Sequence, residues 1–136
     1  MLSPDLDTLR LFLHVLAAAV WVGGQVVLAG VVPSLRRAAP ETTKVAARAF
    51  NRIAWPAYAV LVLTGMWNIA EVDVTAASTQ YQVTLMVKVT VAILAGAAAA
   101  VHAVGQTRAA LAVGGAAGAL LSLGAVYLGV LLQTGT

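Results

Sequence analysis

Residues 109–132 read AALAVGGAAGALLSLGAVYLGVLL, a run with no charged side chain and only Ser122 and Tyr127 as polar groups. A helix over this run, at 1.5 Å per residue, is about 36 Å long, enough to cross a hydrocarbon core of roughly 30 Å. Three more runs of the same kind precede it. Residues 83–104 contain Lys88 and His102. Residues 53–70 are apolar apart from Thr64, Asn68 and flanking aromatics. Residues 9–32 are interrupted by Arg10 at the very start and by His14, Trp21 and Gln25, and end at Pro33 with Arg36 and Arg37 just beyond. Of the 136 residues, 61% are hydrophobic and 10% charged, whereas soluble domains carry about 25% charged residues. A soluble domain of this length could not hide so much apolar surface. The sequence therefore predicts an all-α integral membrane protein, an up-down four-helix bundle forming one transmembrane domain over residues 1–136.

The ends and connections set the expected orientation. The first run is too long for a signal peptide and lacks a basic leader and a small-residue cleavage pattern, so the N-terminus is expected to remain. Ser3 and Pro4 read as an N-cap followed by a first-turn proline. Arg36, Arg37, Lys44, Arg48 and Arg52 lie in or beside the first connection, and Arg108 beside the third. The other side holds Arg10 with Asp5, Asp7, Glu71 and Asp73. The positive-inside rule then predicts a multi-pass protein of the inner or plasma membrane, with the first and third connections cytoplasmic and both termini outside. Lys44, Arg48 and Arg52 recur every fourth residue, forming one basic stripe on a helix that starts near Pro40 and runs into the second span. Anionic headgroups of the bilayer are its expected partner, and the net charge of +3 needs no nucleic acid.

No cysteine is present, which excludes disulfides, thiolate metal sites and thiol catalysis. Nor is there a Gly-rich phosphate loop or a Ser/His/Asp set. Any chemistry falls to the polar residues inside the membrane, which are costly there and are expected to face protein rather than lipid. His14, Ala18, Trp21 and Gln25 fall on one stripe of the first helix. Lys88 and His102 are close to four full turns apart on the third, with Ala95 and Ala99 between them. Thr64, Trp67 and Asn68 come from the second helix and Tyr127 from the fourth.

Counting residues from the helix ends sorts these groups by depth. His14, Lys88, Tyr127 and the Thr64–Asn68 turn are expected in the outer third of the membrane. His102 lies about 21 Å deeper than Lys88, with Gln25, Gln106 and Arg52. The cofactor-binding set expected from this arrangement is His14, Trp21, Trp67, Asn68, Lys88 and Tyr127. His14 and His102 of one chain are too far apart to ligate a single heme iron from opposite sides. A copper ion requires less space, and His14 with Met66 or Met86 offers the imidazole and thioether donors that Cu(I) prefers. His102 is the remaining candidate metal ligand.

The order of several short motifs resembles a known family. Leu13-His14-Val15-Leu16, then Ala19-Val20-Trp21-Val22-Gly23-Gly24, Arg36-Arg37, Phe50-Asn51-Arg52, Ala54-Trp55-Pro56, Leu63-Thr64-Gly65 and finally Lys88 are similar to the CopD-like membrane domain. That resemblance implies copper binding or copper transport, and a periplasmic or extracellular metal-delivery protein as partner. The size of the chain, with His14, Trp21 and Lys88, is also similar to HemJ-type protoporphyrinogen oxidases, which implies heme b. The CopD-like resemblance is the stronger of the two, so the sequence leans away from an enzyme.

Plainer readings stand beside these. His14 can be a neutral histidine hydrogen-bonded to Tyr127 or Asn68, Lys88 can snorkel to water, and Trp21 and Trp67 can be packing or interface anchors. Thr64 can bond a carbonyl of its own helix. Gly114 and Gly118 form a small-xxx-small pair, from which the fourth helix is expected to form a homodimer. A cofactor-free accessory membrane subunit is the competing class.

Overall fold

The structure, a computed structural model, describes residues 3–135. The chain is all-α, and its four long helices are each long and apolar enough to cross a membrane. We label them α1 (Leu6–Ala38), α2 (Pro40–Ala70), α3 (Thr79–Val104) and α4 (Arg108–Thr134). Their ends differ from the hydropathy limits for local reasons. Asp5, not Ser3, caps α1: its carboxylate accepts from the Thr8 amide at 2.7 Å. Pro33 does not end α1, which continues as helix to Ala38. Pro40 opens α2 in the first turn, where its missing N–H costs nothing, and the helix carries the Lys44, Arg48 and Arg52 stripe without a break into the apolar span. Ser78 and Thr107 cap α3 and α4 through the amides of Tyr81 and Ala110.

The chain divides into two compact units, Met1–Val72 and Asp73–Thr136, each an antiparallel helical hairpin. In the first, contacts pair residues whose numbers sum to about 78: His14 meets Thr64 and Trp21 meets Tyr58. Partway along, α1 widens into a π-helical turn over Ala19–Gly23. Trp21, in that turn, is 3% exposed. Its ring packs at a tilt against Tyr58, centroids 4.6 Å apart, and edge-on against Trp55 at 5.5 Å, and Trp55 and Tyr58 meet edge-on at 6.0 Å. Gln25 donates to the Trp21 carbonyl at 3.1 Å, adding a side-chain donor where the backbone ladder changes step. Gly24, directly after the π-helical turn, leaves room for the Phe50 ring, which occupies the space a Cβ would take.

The second hairpin is built on close backbone approach. A Cβ on Gly114 would come within 2.8 Å of the His102 amide and 2.9 Å of the Ala98 carbonyl, while one on Gly118 would stand 3.4 Å from the Ala99 amide. Van der Waals packing between small residues drives helix association in lipid, and here it joins α3 to α4. The Gly114 and Gly118 face expected to form a homodimer is thus taken up within the chain, with both glycines buried. Ala95 and Ala99, the small residues of the α3 polar stripe, fill the other side of this contact.

Candidate functional site

The first hairpin gathers most of the polar residues singled out in the sequence. His14 Nδ1 lies 2.9 Å from Thr64 Oγ1. Thr64, 6% exposed, sits 2.7 Å from the Val60 carbonyl and 3.2 Å from that of Leu61. Since a carbonyl can only accept, the hydroxyl proton goes to α2, and Thr64 Oγ1 accepts the Nδ1–H of His14. With Nδ1–H engaged in this way, Nε2 is the ring nitrogen through which a neutral imidazole would ligate a metal. Gly65 lies under the ring, its Cβ direction 3.5 Å from His14 Cε1. The two expectations for Thr64 and His14 thus merge: Thr64 bonds its own helix and anchors the histidine as well.

One turn toward the N-terminus on the same face of α1 stands Arg10, which sequence reasoning left among the connections. Arg10 is 9% exposed. Its Nη2 is 3.2 Å from Asp7 Oδ1, and its Nη1 is 3.9 Å from Glu71 Oε1, an ion pair beyond hydrogen-bond reach. Nε and Nη1 have no hydrogen-bond partner. Glu71 Oε1 is instead taken by Trp67 Nε1 at 3.0 Å. The hairpin register sets Asn68 opposite Arg10, and Asn68 Oδ1 is also buried without a hydrogen-bond partner. A guanidinium at this depth is costly unless paired, so the Asp7 and Glu71 carboxylates are part of the reason it can be there. Asp5, Asp7, Trp67 and Glu71 line an open cleft of about 390 Å³ at this end of the hairpin. The Asp5 carboxyl is held below its ordinary value by hydrogen bonds from the Thr8 hydroxyl and amide.

Met66, in the same hairpin, does not join this group. Met66 is two residues from Thr64, hence about 200° around α2, and is 63% exposed; the turn that brings Thr64 to His14 carries Met66 away. In the second hairpin, Met86 is 67% and Tyr127 68% exposed. The Lys88 ammonium lies against Gly129 of α4, whose Cβ direction is 3.3 Å from Nζ. His102 donates from Nδ1 to the Leu111 carbonyl at 2.6 Å, closing the α3–α4 connection, and its ring fills the space beside Gly115. Among the described residues no group of three or more His, Asp or Glu side chains converges to hold a metal. Trp55, Tyr58 and Arg10 were not singled out as site residues. The signals for them were a tryptophan and a tyrosine three apart on α2, with Trp55 inside the Ala54-Trp55-Pro56 motif, and a cation inside an apolar run.

The chain matches no family model, no curated protein and no solved structure.

Proposed function

We propose that this is a membrane protein that binds a transition-metal species through Nε2 of His14, as the CopD-like resemblance implies. The observation that carries the reading is the Thr64 hydrogen bond to His14 Nδ1, because an anchored Nδ1–H is how proteins orient an imidazole and raise its basicity toward a metal. Intramembrane ionisable residues with a built partner mark functional sites. Copper is the first species to test. A b-type heme is the second species to test: Met66 is turned away from His14 on α2, and heme needs only one imidazole as its proximal ligand. The charge distribution supports a reading with His14 in the outer half of an inner or plasma membrane, the termini outside and the basic ends of α1 and α2 in the cytoplasm.

The test is to purify the full chain in detergent and titrate it separately with Cu(I) and with iron protoporphyrin, alongside His14→Ala and His102→Ala. Binding lost in His14→Ala and kept in His102→Ala supports the reading. Equal binding in all three forms, or no binding by any, removes it and favours a cofactor-free accessory subunit.

A further inference from the structure

We propose that Arg48 and Arg52 of α2 clamp the phosphate of one anionic phospholipid, whose acyl chains lie along the apolar face of the same helix. The two arginines line a cavity of about 180 Å³, and its other walls are Val45 and Ala49. Residues four apart on a helix are neighbours, about 6 Å along the axis, and like charges at that spacing repel. Neither arginine has a carboxylate to offset this, since the ion pairs among the described residues are those of Arg10. An anion held between the two forks removes the repulsion and meets both sets of donors, and phosphate oxygens match a guanidinium bidentately. The site is independent of the reading of His14.

Position and shape select a lipid over free phosphate. The apolar run of α2 begins at Ile53, so Arg52 stands at the edge of the hydrocarbon. Arg48 is one turn outside it, within the headgroup layer of roughly 5–8 Å per side. From the cavity an apolar stripe continues into the membrane. Val45, Ala49, Ile53, Val60 and Leu63 follow one another by four, four, seven and three residues, on one face of α2, and all five are exposed. A headgroup in the cavity therefore has a surface for its acyl chains directly below it, which inorganic phosphate cannot use. The basic stripe as a whole draws this end of the helix to any anionic surface; the cavity adds a place for one molecule.

The test uses the full chain in detergent, delipidated and titrated with phosphatidylglycerol or with phosphatidylcholine, with bound lipid counted by native mass spectrometry. One phosphatidylglycerol per chain is expected, bound at least about tenfold more tightly than phosphatidylcholine, whose phosphate is offset by its own choline. The double variant Arg48→Gln/Arg52→Gln should lose at least about tenfold in this affinity. Arg36→Gln/Arg37→Gln removes the same charge from the end of α1 and should stay within about twofold at roughly 0.15 M salt, where charge acting at a distance is screened. Equal losses in the two double variants overturn the site and leave a diffuse attraction. Equal affinity of the wild-type chain for both lipids overturns it whether or not the variants fold. Glycerophosphoglycerol, the headgroup without acyl chains, should compete at least about a hundredfold less well than the lipid. Competition on a par with the lipid would make the ligand a free phosphoester and overturn the lipid assignment.

Discussion

Thr64 decides which nitrogen of His14 carries the proton, and it does so with a group that does not titrate. Thr64→Val keeps the shape and removes the acceptor, leaving a half-buried imidazole N–H without its Thr64 partner. We expect a loss of about 1–3 kcal/mol in stability and a 10- to 100-fold fall in metal affinity, with Thr64→Ser restoring both. Denaturant titration in micelles, run beside the binding titration, would check this. An unchanged affinity would mean that Thr64 does not orient the ligand. His14 itself stands out in the sequence because a histidine in an apolar run is rare. Its partner does not, since Thr64, Asn68 and Tyr127 were equally placed by depth, and only the register of α1 on α2 separates them. Arg10 escaped for the same reason. A cation near the end of a span reads as snorkelling to water, and its burial depends on Asp7, Asn68 and Glu71 facing it, a fact of pairing rather than of local composition.

At the level of helices, hydropathy located all four spans because the membrane imposes a length, but their ends answer to caps and prolines that hydropathy does not register. The Asp5 cap makes the start of α1 sensitive to acid. Its carboxyl titrates below the ordinary value of 3.8 in the folded chain because the Thr8 hydroxyl and amide bond the charged form. The capping contribution is therefore complete above the unfolded value and is lost as pH falls through the lower folded one. The Thr8 amide resonance should shift with a midpoint below 3.8 in the wild type and not titrate with this group in Asp5→Asn, which still caps. The π turn could not be read from the sequence at all, since the residues in it are ordinary in membrane helices and the widened turn coincides with the packing of Trp21 against α2. Gly114 and Gly118 were legible as contact glycines but not as to which helix they meet. Gly114→Ala would drive a Cβ into the α3 backbone and should cost about 1–3 kcal/mol. Gly118→Ala, with 3.4 Å available, should cost clearly less. Unfolding of the two variants in the same micelle would rank them, and a reversed order would contradict the α3–α4 approach described above.

Across the whole molecule, the proposed orientation rests on charge, with helix lengths that are compatible with it. α1 and α2 have 33 and 31 residues, about 50 and 46 Å, against 26 and 27 residues for α3 and α4. A hydrocarbon core of roughly 30 Å leaves the first two helices overhanging, and their shared end carries Arg36, Arg37, Lys44, Arg48 and Arg52. Arg10, the one cation counted against this side, is buried in its hairpin beside two carboxylates and is not a solvated loop charge. Removing it from the count strengthens the asymmetry. The chain has no cysteine, so single cysteines report without background. Ser34→Cys lies at the basic end of α1, and Ala76→Cys lies in the α2–α3 connection, where it spares the Ser78 cap. An impermeant maleimide added to intact cells should label Ala76→Cys at once and Ser34→Cys only after permeabilisation. The opposite pattern would invert the protein and move His14, Arg10 and the acidic cleft to the cytoplasmic side, from which any metal would then have to arrive. Labelling of both positions in intact cells would mean that the first two helices do not cross the membrane in opposite directions, and no orientation of the site could be drawn from the charges.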